Sequence, residues 1–249
     1  MSQMDRPTAS PRLPDRVVIL TGAAGNLGSV MTRHLLREGA RVVMTGRNGD
    51  KLDAFLEELV GEGFPREALL TVVADAADPE ACRRVVAETV ERWGEIHALV
   101  NNAGGAGPKC TLRRIPFSEE DCLVSGQSET MLAAAMNLLG GPWNMTRAAV
   151  PHMAREGSVV NVSTIFSRTP YFGRIPYVVP KAGMQRLSIG LARELGAGEK
   201  GIRVNTLFPG PIASERIDTV FAAMDELQPQ PSGPPSETFR GIMTNRRPT

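Results

Sequence analysis

The sequence is poor in the residues that build cross-linked or metal-centred proteins. It holds three cysteines, Cys82, Cys110 and Cys122, with no C-x-x-C spacing. A disulfide framework or a zinc site is therefore not expected, and a reducing cytoplasm fits. His34, His97 and His152 are equally dispersed, so a histidine-ligated metal centre has no support. Charge of one sign is missing too. The 28 basic residues face 27 acidic ones, a net charge of +1, which leaves no electrostatic case for nucleic acid or an anionic membrane as partner. Long hydrophobic runs are absent: none reaches the roughly 20 residues of a membrane-spanning helix. The polar, Pro-punctuated stretch 1–14 reads as a tail without a signal-peptide core. What remains is a chain of 249 residues, enough for one large α/β domain with a buried core.

The first informative stretch is Arg16–Leu20, RVVIL, a β-branched run with the look of a buried parallel strand. Glycines follow at 22, 25 and 28, then helical periodicity over Ser29–Glu38, then a second strand over Arg41–Met44. Gly22, Gly25 and Gly28 thus lie in a strand-to-helix turn inside a β-α-β unit. A dinucleotide pyrophosphate needs glycine there, because the backbone approaches it closely and the helix N-terminus faces its charge. The second strand ends Thr45-Gly46-Arg47-Asn48. An NAD-binding domain places a carboxylate near this point for the adenosine ribose. Gly46 leaves that place empty, and the Arg47 guanidinium suits a 2′-phosphate. NADP(H) is the expected cofactor.

Further along, Asp78 and Pro79 open a helix that runs to Trp93 and stops at Gly94. Tyr177 and Lys181 stand four apart, one turn from each other on a helix face. A phenol is a weak acid, with a pKa of about 10. An ammonium beside it favours the phenolate, and the pair can then pass a proton to or from a carbonyl oxygen. Tyr171 has Ile175 four residues on and lacks that partner. Pro180 places the pair in the first turn of its helix.

In its ordered motifs the chain resembles the short-chain dehydrogenase/reductase family. They are TGAAGNLG (21–28), NNAG (101–104), a helix carrying Asn137, Tyr177-x-x-x-Lys181 and PGPIAS (209–214). The resemblance implies a Rossmann-type α/β fold, a doubly wound parallel sheet, over residues 15–224. It implies cofactor contacts at Gly22, Gly25, Asn26, Leu27, Gly28, Arg47, Asn48, Asp75, Asn101, Ala103, Gly104, Tyr177, Lys181, Pro209, Gly210, Ile212 and Ser214. Asn26 stands where the family pattern has a glycine. The implied catalytic set is Asn137, Thr164, Tyr177 and Lys181. The family's catalytic serine falls thirteen residues before the tyrosine, which is Thr164 here, with Ser163 immediately before it. No metal is implied, and a homo-oligomer is.

Two departures stand out. The 33 positions from Gly104 to Asn137 imply a rim insertion near 118–130. Residues 225–249 are Pro-rich and read as a loop or linker, without the family's last helix and strand. The stretches 136–153, 161–183 and 205–227 also look like the N-terminal part of bacterial bifunctional malonyl-CoA reductases. That likeness implies NADPH-dependent reduction of malonate semialdehyde to 3-hydroxypropionate, within a longer parent chain. Arg168 and Arg174 are the candidates for binding the substrate carboxylate. Two alternatives stay open: reduction of another carbonyl such as a 3-oxoacyl thioester, and a non-catalytic NADP-binding module.

Overall fold

The computed structural model describes residues 10–104, 135–168 and 175–212. Strands and helices alternate through them. In chain order they are β1 (Val17–Thr21), α1 (Asn26–Arg37), β2 (Arg41–Gly46), α2 (Gly49–Gly61), β3 (Leu69–Val73), α3 (Pro79–Trp93) and β4 (Ile96–Asn101). A π-helical turn (Met136–Gly140), α4 (Gly141–Ala149), β5 (Met153–Val162), α5 (Ile175–Gly196) and β6 (Arg203–Leu207) follow. The six strands form one sheet in the order β3-β2-β1-β4-β5-β6. The pairings β1·β2, β1·β4, β2·β3 and β4·β5 are parallel. This is the expected Rossmann-type doubly wound sheet. The reversal of strand order at β1 puts the turn after β1 at the switch point, where such sheets bind ligands.

Two compact units divide the described residues. One comprises 10–104, 141–161 and 188–205; the other comprises 135–140, the described part of 162–187, and 206–212. The core of the first is built by alternation. Val18 and Leu20 of β1 and Val42 and Met44 of β2 are at most 2% exposed, and they pack with Leu36, Leu52, Phe55, Leu59 and Leu69. The intervening Val17, Ile19 and Val43 are equally buried, as a central strand covered on both faces requires.

The boundaries follow local chemistry. The Asn48 side chain caps α2 by accepting from Lys51 N at 2.8 Å. Asp78 caps α3 by accepting from Glu80 N, Pro79 opens that helix, and Gly94 ends it, as expected. β5 begins at Met153, earlier than its apolar run. It pairs Ile96 with Met153 and Ala98 with Ser158, so extra residues bulge from it. Glu156, at φ 58°, donates its N–H to the Lys200 carbonyl at 2.6 Å.

Pro180 differs from expectation. It lies inside α5, which starts at Ile175, so it occupies the second turn and not the first. Proline lacks the N–H that would bond back to residue 176, and the helix runs on with that one bond missing. No helix among the described residues is long and apolar enough to cross a membrane.

Candidate active site

In the first unit the turn after β1 is held by side chains from the end of β4. Thr21 Oγ1 accepts from Asn102 N at 3.0 Å and Ala103 N at 2.9 Å. The Asn102 amide donates to the carbonyls of Thr21 at 3.0 Å and Gly22 at 3.2 Å. Gly22 sits at φ 67°, and a Cβ there would meet Ala103 Cα at 3.0 Å. At Gly28 a Cβ would collide with the Gly22 carbonyl oxygen and stand 2.8 Å from that of Ala23. Side chains are therefore excluded on both sides of the turn, and backbone lines it. Helix α1 begins behind Gly25 with no side-chain cap and no acidic residue in its first turn. Its leading N–H groups thus carry no side-chain cap, which suits a bound phosphate.

The other expected contacts in this unit divide into free and committed groups. Arg47 is exposed, and its guanidinium makes no bond among the described residues. Asn48 is committed as the cap of α2. One carboxylate oxygen of Asp75 accepts from Ala77 N at 3.0 Å, and the other has no partner among the described residues. Asn101 is 1% exposed and stitches strands: its amide donates to Asn161 Oδ1 at 2.8 Å and Thr146 Oγ1 at 3.2 Å. Asn161 in turn donates to Ser188 Oγ at 2.8 Å. Thr21 and Asn102 were not among the expected site residues. Their only sequence signals are the threonine before the first glycine and the second asparagine of NNAG.

In the second unit the end of β5 meets the start of α5. Lys181 is 4% exposed, and its ammonium donates to the Val162 carbonyl at 2.6 Å. Burial pushes its pKa down from 10.5 to about 8, so it is still charged at neutral pH. Among the described residues one of its three N–H groups is used. Ser163 Oγ donates to the Lys181 carbonyl at 2.8 Å. Thr164, also 4% exposed, opens a 3-10 turn, and its Oγ1 accepts from Phe166 N at 3.4 Å. Its hydroxyl hydrogen is uncommitted among the described residues.

Tyr177 is half-buried, one turn before Lys181 on α5. Asn137 is exposed within the π-helical turn, where single extra residues often mark functional positions. Arg168 is exposed, with its guanidinium carbon 4.6 Å from the centre of the Phe208 ring. Pro209, Gly210 and Ile212 follow β6; Pro209 accepts from Ile165 N at 3.0 Å, and Ile212 is 40% exposed. Arg174, Ser214 and the stretch 118–130 lie outside the described residues. Among the described residues no cluster of histidine, cysteine or acidic side chains could hold a metal ion.

The structure thus joins Gly22, Gly28, Asn102 and Ala103 in one unit, and Val162, Ser163 and Lys181 in the other. Residues 16–225 match the family model described as short chain dehydrogenase. The chain belongs to the short-chain dehydrogenases. Curated members act on varied carbonyls and alcohols. The 3-oxoacyl-acyl-carrier-protein reductase of Thermotoga maritima is 32% identical over 202 residues, 80% of this dehydrogenase and 75% of that enzyme. The 7alpha-hydroxysteroid dehydrogenase of Bacteroides fragilis is 29% identical over 204 residues, 81% of this chain and 73% of its own length. Among solved structures, the N-domain with NADP of bacterial malonyl-CoA reductase is 49% identical with a TM-score of 0.77. That likeness covers 87% of this dehydrogenase but 40% of the solved chain.

Proposed function

We propose that the chain reduces malonate semialdehyde to 3-hydroxypropionate with NADPH, as the N-terminal part of a bifunctional malonyl-CoA reductase. The observation that carries this reading is the 49% identity with the NADP-bound malonyl-CoA reductase N-domain. Curated relatives of other substrate classes share about 30% by comparison.

The residues fit the cofactor. The glycine turn, closed to any Cβ at Gly22 and Gly28, and the uncapped start of α1 would hold the pyrophosphate. Arg47 would take the 2′-phosphate through charge-assisted hydrogen bonds. The free carboxylate oxygen of Asp75 would accept from the adenine amino group. When bound, NADPH supplies the hydride. The chain's own residues supply the rest. Tyr177 gives its proton to the aldehyde oxygen as charge develops there. Thr164 donates its uncommitted hydroxyl hydrogen to the same oxygen. Lys181, charged below pH 8, favours the phenolate that Tyr177 becomes, and its unused N–H groups hold ribose hydroxyls. Asn137 anchors the water that returns the proton.

Arg168 supports an acidic substrate. Its guanidinium lies over the Phe208 ring and has no hydrogen bond among the described residues, so its N–H groups would be open to a carboxylate. A longer parent chain belongs to the same proposal, as does a homo-oligomer, which the exposed Met136, Trp143, Val179 and Ile189 support. The test is NADPH oxidation by the chain and its parent with malonate semialdehyde, malonyl-CoA and a 3-oxoacyl thioester. The second reading, a reductase of another carbonyl, is favoured by the T. maritima relative and predicts turnover of the thioester alone. NADPH binding without turnover of any carbonyl would leave only a binding module.

A further inference from the structure

Ser163 is the hydroxyl that the site does not need for substrate. It is 4% exposed. Its one proton goes to the Lys181 carbonyl at 2.8 Å, and its oxygen lies 3.5 Å from Ser167 Oγ. Ser167 in turn donates to the Thr164 carbonyl at 2.7 Å. The lysine is therefore gripped at both ends by consecutive residues of one strand end. Val162 takes the ammonium at 2.6 Å, and Ser163 takes the main chain. The grip falls where α5 is weakest, next to Pro180, whose ring removes a helical hydrogen bond.

Asn161 in β5 and Ser163 just past its end lie two apart in sequence, and their partners Ser188 and Lys181 lie seven apart on α5. The helix is thus tied to the strand at two points with matching periods. The more N-terminal tie holds the lysine itself.

We propose that Ser163 is a positioning residue: its hydroxyl fixes the Lys181 main chain to the end of β5, so that the ammonium is held for cofactor and tyrosine. This rests on the catalytic reading of Lys181 given above. Side-chain placement matters to such a site: a misplacement of about 1 Å can cost about 10²-fold in rate. With its one proton given to the Lys181 carbonyl, Ser163 has none left to donate to a substrate oxygen. Its loss acts only through the lysine, and Thr164 remains the hydroxyl partner of the carbonyl.

A double-mutant cycle tests this. Ser163→Ala is combined with Lys181→Met, reading kcat and KM with malonate semialdehyde and NADPH affinity by fluorescence titration. In the parent, Ser163→Ala lowers kcat about tenfold, weakens NADPH about threefold, and leaves the aldehyde KM within about twofold. In the Lys181→Met background the same change has no further effect on either kcat or NADPH affinity. Ser163→Cys, which keeps the volume but donates weakly, gives the same pattern if the alanine variant does not fold. Additive losses in the two backgrounds would overturn the proposal while leaving the catalytic reading intact. A Lys181→Met variant with unchanged kcat and NADPH affinity would overturn that reading, and this proposal with it. If the aldehyde is not turned over, the NADPH arm still decides the role of Ser163.

Discussion

At the scale of single residues, the site turns on where each hydrogen and each charge is committed. Tyr177→Phe removes the proton donor and is expected to lower kcat by about 10²- to 10⁴-fold, the usual worth of general acid catalysis. NADPH affinity should hold within a small factor, which separate titration and steady-state assays will show. Arg47, just past β2, is exposed and makes no bond among the described residues. Arg47→Ala should weaken NADPH by about 1.5–3 kcal/mol, the worth of a hydrogen bond to a charged group, and leave NADH unchanged; comparing the two dissociation constants checks this. Lys181 carries a pH signature. Its folded pKa of about 8 lies below the ordinary 10.5, so the unfolded chain holds the proton more tightly. Its burial as a cation costs the fold about 3 kcal/mol below pH 8. Stability should rise as pH climbs from about 8 to 10.5 and be flat below that window. Urea unfolding without cofactor at about pH 7.5 and about pH 10 should show this gain in the parent and lose it in Lys181→Met.

At the scale of elements, the most demanding contact is the approach of α1 to the turn after β1. Gly28→Ala would drive a Cβ into the Gly22 carbonyl, and backbone cannot yield as a flexible side chain does. Destabilisation of about 1–3 kcal/mol or more is expected, with loss of NADPH binding, read by thermal melting and titration. The same comparison shows what the sequence made legible. Helix α3 was readable at both ends because Asp78, Pro79 and Gly94 each act locally. The glycine turn was readable because close backbone approach leaves a glycine at every contact. The π-helical turn at Met136–Gly140 was not, since an extra residue in one turn leaves no local residue preference. Pro180 misled for a physical reason: packing and the Ser163 and Val162 ties carry α5 past a missing bond that an isolated helix would not tolerate. Asn48, expected at the cofactor, also caps α2 by accepting from Lys51 N, a second role that the sequence pattern does not separate from the first. The thirteen-residue spacing pointed to Thr164 over Ser163, whereas the bond from Ser163 to the Lys181 carbonyl has no signal in the sequence.

At the scale of the whole molecule, fold and family were legible because a doubly wound sheet repeats one pattern, apolar strand then amphipathic helix, from β1 to β6. Substrate choice was less so. On our proposal it rests on Arg168, which lies over Phe208, and on Arg174, which with the 118–130 stretch lies outside the described residues. The chain spans 40% of the malonyl-CoA reductase chain it resembles, and on our proposal it performs the reduction of malonate semialdehyde within a longer protein. The most direct measurement is the initial rate of NADPH oxidation with malonate semialdehyde, for the chain and for Tyr177→Phe, beside malonyl-CoA and a 3-oxoacyl thioester. The expected result is rapid oxidation with the semialdehyde, none with malonyl-CoA, and loss of at least about 10² in the variant. Turnover of the thioester but not the semialdehyde, or a Tyr177→Phe rate equal to the parent's, would contradict it.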